Sequence, residues 1–423
     1  MNAQNLLEFI HQCPSPYYTV RTLAHMLTAA GFQELDLTDL WELEPGGRYF
    51  VKIYGTTLIG FAVGKKEGPV RIGASHTDFP CFRIKPQPEI SKEGYGTLNV
   101  EGYGGMIVST WMDRPLSAAG MVSMAGPDPF HPRMQLIDFK RPVAIIPSLA
   151  IHMNRTVNDG YAWNKQKDVL PLAALGVEKD SGTHFFRSLV AREAGCSETD
   201  LLSYELSLYP VEAGCLLGLS DEFISSPRLD NLTSVKAVAD GLIASDPESG
   251  ISVGAFFDHE EVGSRTKQGA GSLIFLQVLE RIYAALGRGR ERLYADLGAG
   301  FMLSVDVAHA FHPNYGDKCD PTHKPVLGGG VVLKESASQS YAGDAEAVGV
   351  ITGLCRQHGI PCQTFVNRGD IAGGSTLGSI ASALVPVRTM DIGVLLLAMH
   401  SARETMGRAD QEALTRLLEV FFA

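Results

Sequence analysis

Two adjacent glutamates in the second half of the chain, Glu260 and Glu261, have side chains suited to catalysis. They follow a strand-like stretch, residues 251–257, and precede a Gly-Ser turn. Neighbouring carboxylates at a strand end can divide two tasks, because one can hold a metal ion while the other moves a proton. Further ligand-type residues in distinctive settings are His76, Asp78, Asp230, Asp306 and His400. Histidines and carboxylates without cysteine predict a metal-dependent hydrolytic site.

The residue types also predict how two divalent ions could be held. Asp230 is the natural bridging ligand, since its side chain is short and it stands at the predicted start of a helix. His76 and Asp306 would complete the ligands of one ion. Glu261 and His400 would complete those of the other, with an open position for a bridging water whose pKa the ions lower. This ligand set suits zinc, with manganese or cobalt as alternatives.

Two residues are predicted to act beside the ions. Asp78, two residues after His76, would point the same way along a strand and orient the imidazole. Glu260 would point away from Glu261, because consecutive side chains of a strand face opposite ways. We therefore predict that Glu260 is the general base, a role that contributes about 10²–10⁴-fold in rate.

The elements around these residues alternate between strands and helices. Strands are predicted at residues 49–53, 57–63, 70–75, 251–257, 301–305 and 385–390, and helices at 17–30, 231–244, 272–286 and 411–422. Such alternation predicts an α/β three-layer sandwich with a mostly parallel central sheet. Sites in these sheets form at the carboxyl ends of strands, so ligands far apart in the sequence can converge there.

The stretch at residues 86–215 has a different character, with turns rich in Pro, Gly and Asp and short strands such as 143–146. Composition thus sets this stretch apart from the strand–helix alternation on either side of it.

Composition excludes some classes of protein. The 423 residues are 45% hydrophobic and 20% charged, and the net charge of −11 disfavours nucleic acid or an anionic membrane as partner. Seven cysteines without a CxxC pair predict reduced thiols and a cytoplasmic location. The first 13 residues are predicted to form an amphipathic helix rather than a signal peptide, and no apolar run approaches the roughly 20 residues that span a bilayer.

Short motifs follow one another in order along nearly the whole chain. They include Ser-His-Thr-Asp (75–78), Tyr-Gly-Gly (103–105), Ser-Pro-Arg-Leu-Asp-Asn (226–231), Glu-Glu-Val-Gly-Ser (260–264), and the runs at 15–17, 46–50, 111–114, 149–152, 306–315, 374–378 and 399–401. In these motifs the chain resembles the aspartyl aminopeptidase family of co-catalytic dizinc exopeptidases. Phe79, Gly373 and Ser379 depart from the family pattern, and none of them is a predicted ligand.

The resemblance implies roles for particular residues. By matching motif positions, two zinc ions per subunit would be held by His76, Asp230, Glu261, Asp306 and His400, with Glu260 as the base. His309 matches the family's active-site histidine and could donate to the developing oxyanion. The implied substrate contacts are His152, Lys334, Tyr341, Gly374, Ser375 and Thr376.

The resemblance also implies an activity and an assembly. The substrates would be peptides with a free N-terminus, and the preferred first residue Asp or Glu, for which Lys334 offers a physical rationale. A branch of the family prefers neutral residues such as Leu. The resemblance further implies that residues 86–215 are an inserted β-rich domain for dimerisation and oligomerisation, and that residues 1–85 and 216–423 form one discontinuous catalytic domain. The insert would build dimers that assemble into a tetrahedral dodecamer, in which His152 reaches the active site of a neighbouring subunit.

Two other interpretations belong beside this one. The chain could be a related dimetal carboxypeptidase or amide deacylase, against which the whole-chain resemblance argues. It could instead be a self-assembling scaffold with weak catalysis, against which the intact ligand set and Glu260 argue.

Overall fold

The computed structural model describes residues 3–177 and 184–423, which form a mixed α/β fold with three β-sheets. Helices and strands are numbered along the chain. The α-helices of the described residues are α1 (Ala3–Gln12), α2 (Pro16–Ala29), α3 (Phe185–Ala194), α4 (Leu229–Ala244), α5 (Ile274–Ala285), α6 (Arg290–Gly298), α7 (Ala345–His358), α8 (Leu377–Leu384) and α9 (Arg408–Phe422). None of these helices is long and apolar enough to cross a membrane.

The largest sheet has nine strands in the order β1-β2-β3-β14-β4-β15-β19-β17-β18. They are β1 (Gln33–Leu35), β2 (Arg48–Ile53), β3 (Thr57–Val63), β4 (Lys66–His76), β14 (Ser249–Phe257), β15 (Phe301–Val305), β17 (Val331–Glu335), β18 (Cys362–Val366) and β19 (Arg388–Gly393). The central strands β14, β4, β15 and β19 run parallel to one another. Antiparallel pairings of β3 with β2 and β14, and of β17 with β19, make the sheet as a whole mixed.

Helices pack on both faces of this sheet. Phe256 and Leu303 lie in a core that includes residues of α1, α2, α4, α7 and α9. Their chain neighbours Phe257 and Met302 point to the opposite face, into a core with α5, α6 and α8. Alternate burial on two faces explains why β14 and β15 are mostly apolar and do not alternate between apolar and charged residues. Each of these large side chains stabilises the fold by about 1.5–3 kcal/mol.

Strands from the middle of the chain form a separate seven-stranded sheet with its own core around Phe82 and Val122. They are β5 (Cys81–Lys92), β6 (Gly94–Tyr103), β7 (Pro115–Met124), β8 (Arg133–Asp138), β9 (Ala144–Ile145), β10 (Leu172–Val177) and β11 (Leu201–Pro210). All pairings among these described strands are antiparallel, and β11 pairs with both β5 and β7, so the pairings close into a ring. The ring accounts for the scarcity of helical patterns in this stretch.

A third, five-stranded sheet lies beside the ends of the central strands, in the order β12-β13-β21-β20-β16. It is built from β12 (Cys215–Leu217), β13 (Phe223–Ser226), β16 (Ala308–His309), β20 (Leu395–Leu397) and β21 (Glu404–Gly407). No strand of this sheet was predicted from the sequence. Its short strands come from distant segments, which leaves no local pattern to detect.

Most predicted elements occur in the structure with shifted ends. The strand predicted at 385–390 begins at Arg388, and the last helix begins at Arg408 rather than at residue 411. The helix predicted at 231–244 begins at Leu229, but Asp230 and Asn231 have non-helical backbone angles. The amphipathic N-terminal helix is α1, with Met1 and Asn2 outside the described residues.

Candidate metal centre

The predicted ligands stand where the central strands end. His76 is the last residue of β4, and it pairs with Phe257, the last residue of the parallel strand β14. Asp306 directly follows β15, whose Ser304 pairs with Ala74 of β4. Parallel register therefore brings these strand ends together, as the rule for α/β sheets requires.

The Asp230 carboxylate lies between two groups of side chains. Its Oδ1 is 3.5 Å from His76 Nε2, which is also 3.5 Å from Asp306 Oδ1. Its Oδ2 is 3.2 Å from His400 Nε2, which is 3.4 Å from Glu261 Oε2. Within each group the ligand-type atoms lie within 4.8 Å of one another. The structure thus brings the five predicted ligands together in the two predicted sets.

The donor set fits two small divalent cations. Two atoms that bind one ion at about 2.1 Å with a tetrahedral angle lie about 3.4 Å apart, close to the separations seen here. Asp230 Oδ1 and Glu261 Oε1 are buried and have no hydrogen-bond partner among the described residues. Burial, reinforced by the charge of Asp230, raises the pKa of Glu261 well above its usual range. Cations between these oxygens would supply the missing partners.

Carbonyl oxygens orient both histidines. His76 Nδ1 lies 3.0 Å from the carbonyl oxygen of Asp78, and His400 Nδ1 lies 2.9 Å from that of Gly105. A carbonyl can only accept, so Nδ1 carries a hydrogen and Nε2 faces the carboxylates. Burial acts to lower the pKa of His400, but the bond with Asp230 outweighs it and raises the pKa to about 10. Cation binding must therefore displace a proton from His400.

The Asp78 carboxylate contacts both His76 and the backbone of the two glutamates. Its Oδ1 lies 3.3 Å from His76 Nδ1 and accepts the Glu260 N–H at 3.1 Å, while its Oδ2 accepts the Glu261 N–H at 3.1 Å. Burial opposes ionisation, but the contact with His76 lowers the pKa of Asp78, so the residue is a carboxylate. The predicted orienting contact is present, and the same side chain also holds the turn that carries both glutamates.

Glu260 and Glu261 lie in a 3₁₀ turn, Glu260–Val262, beyond the end of β14. The prediction that strand alternation turns Glu260 away from Glu261 was therefore wrong. Glu260 nevertheless lines the cleft and belongs to neither ligand group. Burial, opposed in part by His76, raises the pKa of Glu260 to about 8. A base with a pKa near the working pH both accepts and returns a proton readily.

The centre opens into a cleft of about 470 Å³. Besides the ligands and Glu260, its lining includes His309, Lys334, Tyr341, Gly374, Ser375 and Thr376. His152 is not among the lining residues and is exposed in the turn Ile151–Met153. The chain thus gathers all but one of the implied substrate contacts around a single cleft.

Lys334 is a buried cation at the wall of this cleft. Its Nζ donates to the Val307 carbonyl oxygen at 2.8 Å and lies 3.8 Å from Asp306 Oδ2. An ammonium has three donors, so the Val307 bond and the Asp306 contact leave one for another partner. Burial and the nearby Lys334 charge lower the pKa of His309, which leaves that imidazole neutral and able to donate one N–H.

Glu404 is a contributor to the centre that sequence reasoning missed. Its carboxylate is buried and accepts the Asp230 N–H at 3.0 Å and the His400 N–H at 2.7 Å. Burial and the Asp230 charge raise the pKa of Glu404 to about 8. It ties together the backbones of two ligands of one group. A glutamate in strand β21, 174 residues from Asp230, carries no local signal of this role.

A mixed α/β sheet with two histidine–carboxylate groups at its strand ends has the donor set of a metal-dependent hydrolase. The family described as Aminopeptidase I zinc metalloprotease (M18) matches residues 9–422. The chain belongs to this family, and the protein is accordingly a zinc-dependent aminopeptidase.

Individual relatives are similar to this chain over nearly its full length. A probable M18 family aminopeptidase 2 of Clostridium acetobutylicum is 43% identical, covering 99% of this chain and 98% of the relative. A chain of the Ape4 and Nbr1 complex superposes with a TM-score of 0.95 at 35% identity, covering 99% of this chain and 85% of that one. A chain of the S. cerevisiae mApe1 dodecamer superposes with a TM-score of 0.86 at 27% identity, covering 99% of this chain and 96% of that one.

Proposed function

We propose that the protein uses two zinc ions to remove unblocked N-terminal residues, Asp or Glu by preference, from peptides. The observation that carries the proposal is the Asp230 carboxylate, whose two oxygens face two separate histidine–carboxylate groups. His76 and Asp306 would hold one ion with it, and Glu261 and His400 the other. A dizinc aminopeptidase needs one bridging carboxylate and terminal N or O ligands on each ion.

The chain's own residues account for the proton transfers. Bound zinc lowers the pKa of coordinated water and polarises the scissile carbonyl. Glu260 takes the proton of the attacking water and passes it to the leaving amine. The neutral His309 donates an N–H to the developing oxyanion. The acidic cluster attracts the free α-ammonium group, which explains why a blocked N-terminus would not be accepted.

The proposed preference for an acidic first residue rests on Lys334. It is the only Lys or Arg among the described residues that line the cleft. Beyond its contacts with Val307 and Asp306, the ammonium keeps a donor for a substrate carboxylate, and a charge-assisted hydrogen bond in a buried site is worth about 1.5–3 kcal/mol. A preference for neutral residues such as Leu remains the alternative.

We expect zinc-dependent hydrolysis of peptides that begin with Asp or Glu. Initial rates on substrates with N-terminal Asp, Glu, Leu, Lys or a blocked amine, measured after chelation and again after zinc is restored, test this. Zinc ligation and the acidic cluster predict that chelation removes activity and that blocked peptides are inert. Preference for Leu would support the neutral alternative, and cleavage of blocked substrates alone would indicate a deacylase.

The ratio of kcat/KM for Asp and Leu substrates distinguishes a contact of Lys334 with the substrate from a general loss of activity. In Lys334→Met we expect kcat/KM for Asp relative to Leu to fall about 10- to 100-fold, the equivalent of one lost charge-assisted bond. An unchanged ratio would mean that Lys334 serves Asp306 and not the substrate. The ratio is informative even if Lys334→Met lowers both rates.

We also propose the assembly that the resemblance implied. Residues 1–85 and 216–423 would form a three-layer catalytic domain, and residues 86–215 a domain that builds dimers and then a tetrahedral dodecamer. The relative mApe1 of S. cerevisiae was solved as a dodecamer, which supports self-association. His152 is exposed and outside its own chain's cleft, as a residue that serves a neighbouring subunit would be.

We expect His152→Ala and Glu260→Ala chains to restore activity when they are expressed together. A shared site would take Glu260 from one chain and His152 from its neighbour, so random pairing in two-fold dimers would leave roughly a quarter of the sites intact. Co-expressed His309→Ala and Glu260→Ala chains are the control, because both residues lie in one cleft and no intact site can form. Equal activity in both mixtures would refute a shared site.

A further inference from the structure

Three consecutive residues at the end of β6, Tyr103, Gly104 and Gly105, reach from the seven-stranded sheet into the metal centre. We call residues 103–105 the Tyr-Gly-Gly segment. Each of its members contacts a different part of the centre. The contacts are made within one chain, so they do not depend on assembly.

Tyr103 acts on the turn that carries both glutamates. Its hydroxyl donates to Asp78 Oδ2 at 2.6 Å, and the residue is 8% exposed. The same Asp78 carboxylate accepts the N–H groups of Glu260 and Glu261. The Arg83 guanidinium lies 4.0 Å from the centre of the Tyr103 ring and holds it from the side of the seven-stranded sheet. Tyr103 therefore holds the Asp78 side chain, and Asp78 holds the turn that carries Glu260 and Glu261.

Gly104 lies directly against Glu261. Its φ of +74° is in the left-handed region that glycine adopts without strain. A Cβ added at this position would lie 3.2 Å from both Cβ and Oε2 of Glu261. Oε2 is the oxygen that faces His400 Nε2. Any larger residue at position 104 must therefore displace this carboxylate or the backbone beside it.

Gly105 and the residue two positions later hold His400. The Gly105 carbonyl oxygen lies 2.9 Å from His400 Nδ1, and the Ile107 N–H donates to the His400 carbonyl oxygen at 2.9 Å. The first contact sets which ring nitrogen faces the carboxylates, and the second holds the backbone. Outer contacts of this kind change metal affinity or activity by about 10- to 100-fold when they are removed.

We propose that the Tyr-Gly-Gly segment is a positioning element of the metal centre, which sets Glu261 and His400 for one cation and Glu260 for proton transfer. The proposal rests on the proposed function for the roles of those three residues. It makes the seven-stranded sheet a part of its own chain's active site as well as a surface for assembly.

The first test compares substitutions of two glycines at opposite ends of β6, Gly104 just after the strand and Gly94 at its first position. Gly104→Ala is matched by Gly94→Ala at the other end of β6, where φ is +77° and a Cβ would meet no atom within 4 Å. Cobalt titration of the metal-free protein, followed by its visible absorption, reports each cation directly. We expect Gly104→Ala to weaken the binding of one of the two ions about 10- to 100-fold and Gly94→Ala to bind both as the wild type does. Equal binding by the two variants would overturn the proposal.

The second test applies even if Gly104→Ala fails to fold. Tyr103→Phe removes one hydroxyl, and Tyr204→Phe is its control, since the Tyr204 hydroxyl donates to the Lys85 carbonyl oxygen within the seven-stranded sheet. We expect kcat to fall about 10- to 100-fold in Tyr103→Phe with KM unchanged, and neither constant to change in Tyr204→Phe. Equal kinetics in both variants would overturn the role of Tyr103.

The two proposals can fail separately. If the wild-type protein binds cations but hydrolyses no peptide, the proposed function fails, and the cobalt comparison of Gly104→Ala with Gly94→Ala still decides the inference. If the wild type is active and both pairs of variants behave alike, the inference fails and the function stands.

Discussion

Glu260→Gln is expected to lower kcat by about 10²–10⁴-fold while the protein still binds two zinc ions. The amide has nearly the shape of the carboxylate but cannot accept the proton of the attacking water. Glu260 lies outside both ligand groups, so its loss should leave metal binding intact. Steady-state kinetics combined with the zinc content of the purified protein measures both expectations.

The control for Glu260→Gln is a second Glu→Gln substitution outside the metal centre. Glu335→Gln removes an exposed carboxylate at the end of β17, next to Lys334, and should behave as the wild type does. Loss of zinc in Glu260→Gln would make Glu260 a ligand, and unchanged kcat would require another base. If the wild type itself is barely active while its assembly is intact, the interpretation as a scaffold gains support.

Asp230→Ala is expected to remove both cations and to lower activity by more than about 10³-fold. Each oxygen of this carboxylate faces one histidine, at 3.5 and 3.2 Å, so its loss leaves both ligand groups incomplete. Activation of the water and polarisation of the carbonyl are each worth several kcal/mol, and each 1.36 kcal/mol is tenfold in rate. Zinc stoichiometry after dialysis and the rate on an Asp substrate measure the two losses.

A variant that lacks a terminal ligand is the comparison for Asp230→Ala. His400→Ala should lose one cation and keep the other, whereas a bridging residue affects both. Asp240→Asn is the control on the same helix, since the Asp240 carboxylate pairs with Lys236 at 2.6 Å, away from the centre. Retention of one full equivalent of zinc in Asp230→Ala would show that Asp230 is a terminal ligand and not a bridge.

Much of the centre was predictable because its ligands follow strongly patterned elements. His76 and Asp306 come at the ends of strands whose last residues are buried, and Asp230 stands at the start of a mostly apolar helix. Strand ends of a parallel sheet meet at one edge, so residue type and position together predict convergence. The observed grouping around Asp230 agrees with the predicted pairs, while the roles in binding and catalysis stay proposals.

The supporting contacts were not predictable in this way. Glu404 reaches the backbones of Asp230 and His400, and Tyr103 reaches Asp78 from another sheet. Glu404 is 174 residues from Asp230, and Tyr103 is 25 residues from Asp78, so no local pattern connects the partners of these two bonds. Glu260 lies outside both ligand groups and Glu261 lies in one, but a 3₁₀ turn and not the predicted strand alternation produces this difference.

The sequence by itself determined the chemistry that is possible, because ligand types, apolar strands and helix periodicity are local properties of the chain. It was enough to predict the α/β class and the two sets of ligands. Only the tertiary structure decided which atoms meet, including the distances around Asp230 and the reach of Tyr103 and Gly104 into the centre. The reason is physical: distances of 3 to 4 Å between distant segments depend on how the sheets pack, and packing is a property of the whole fold.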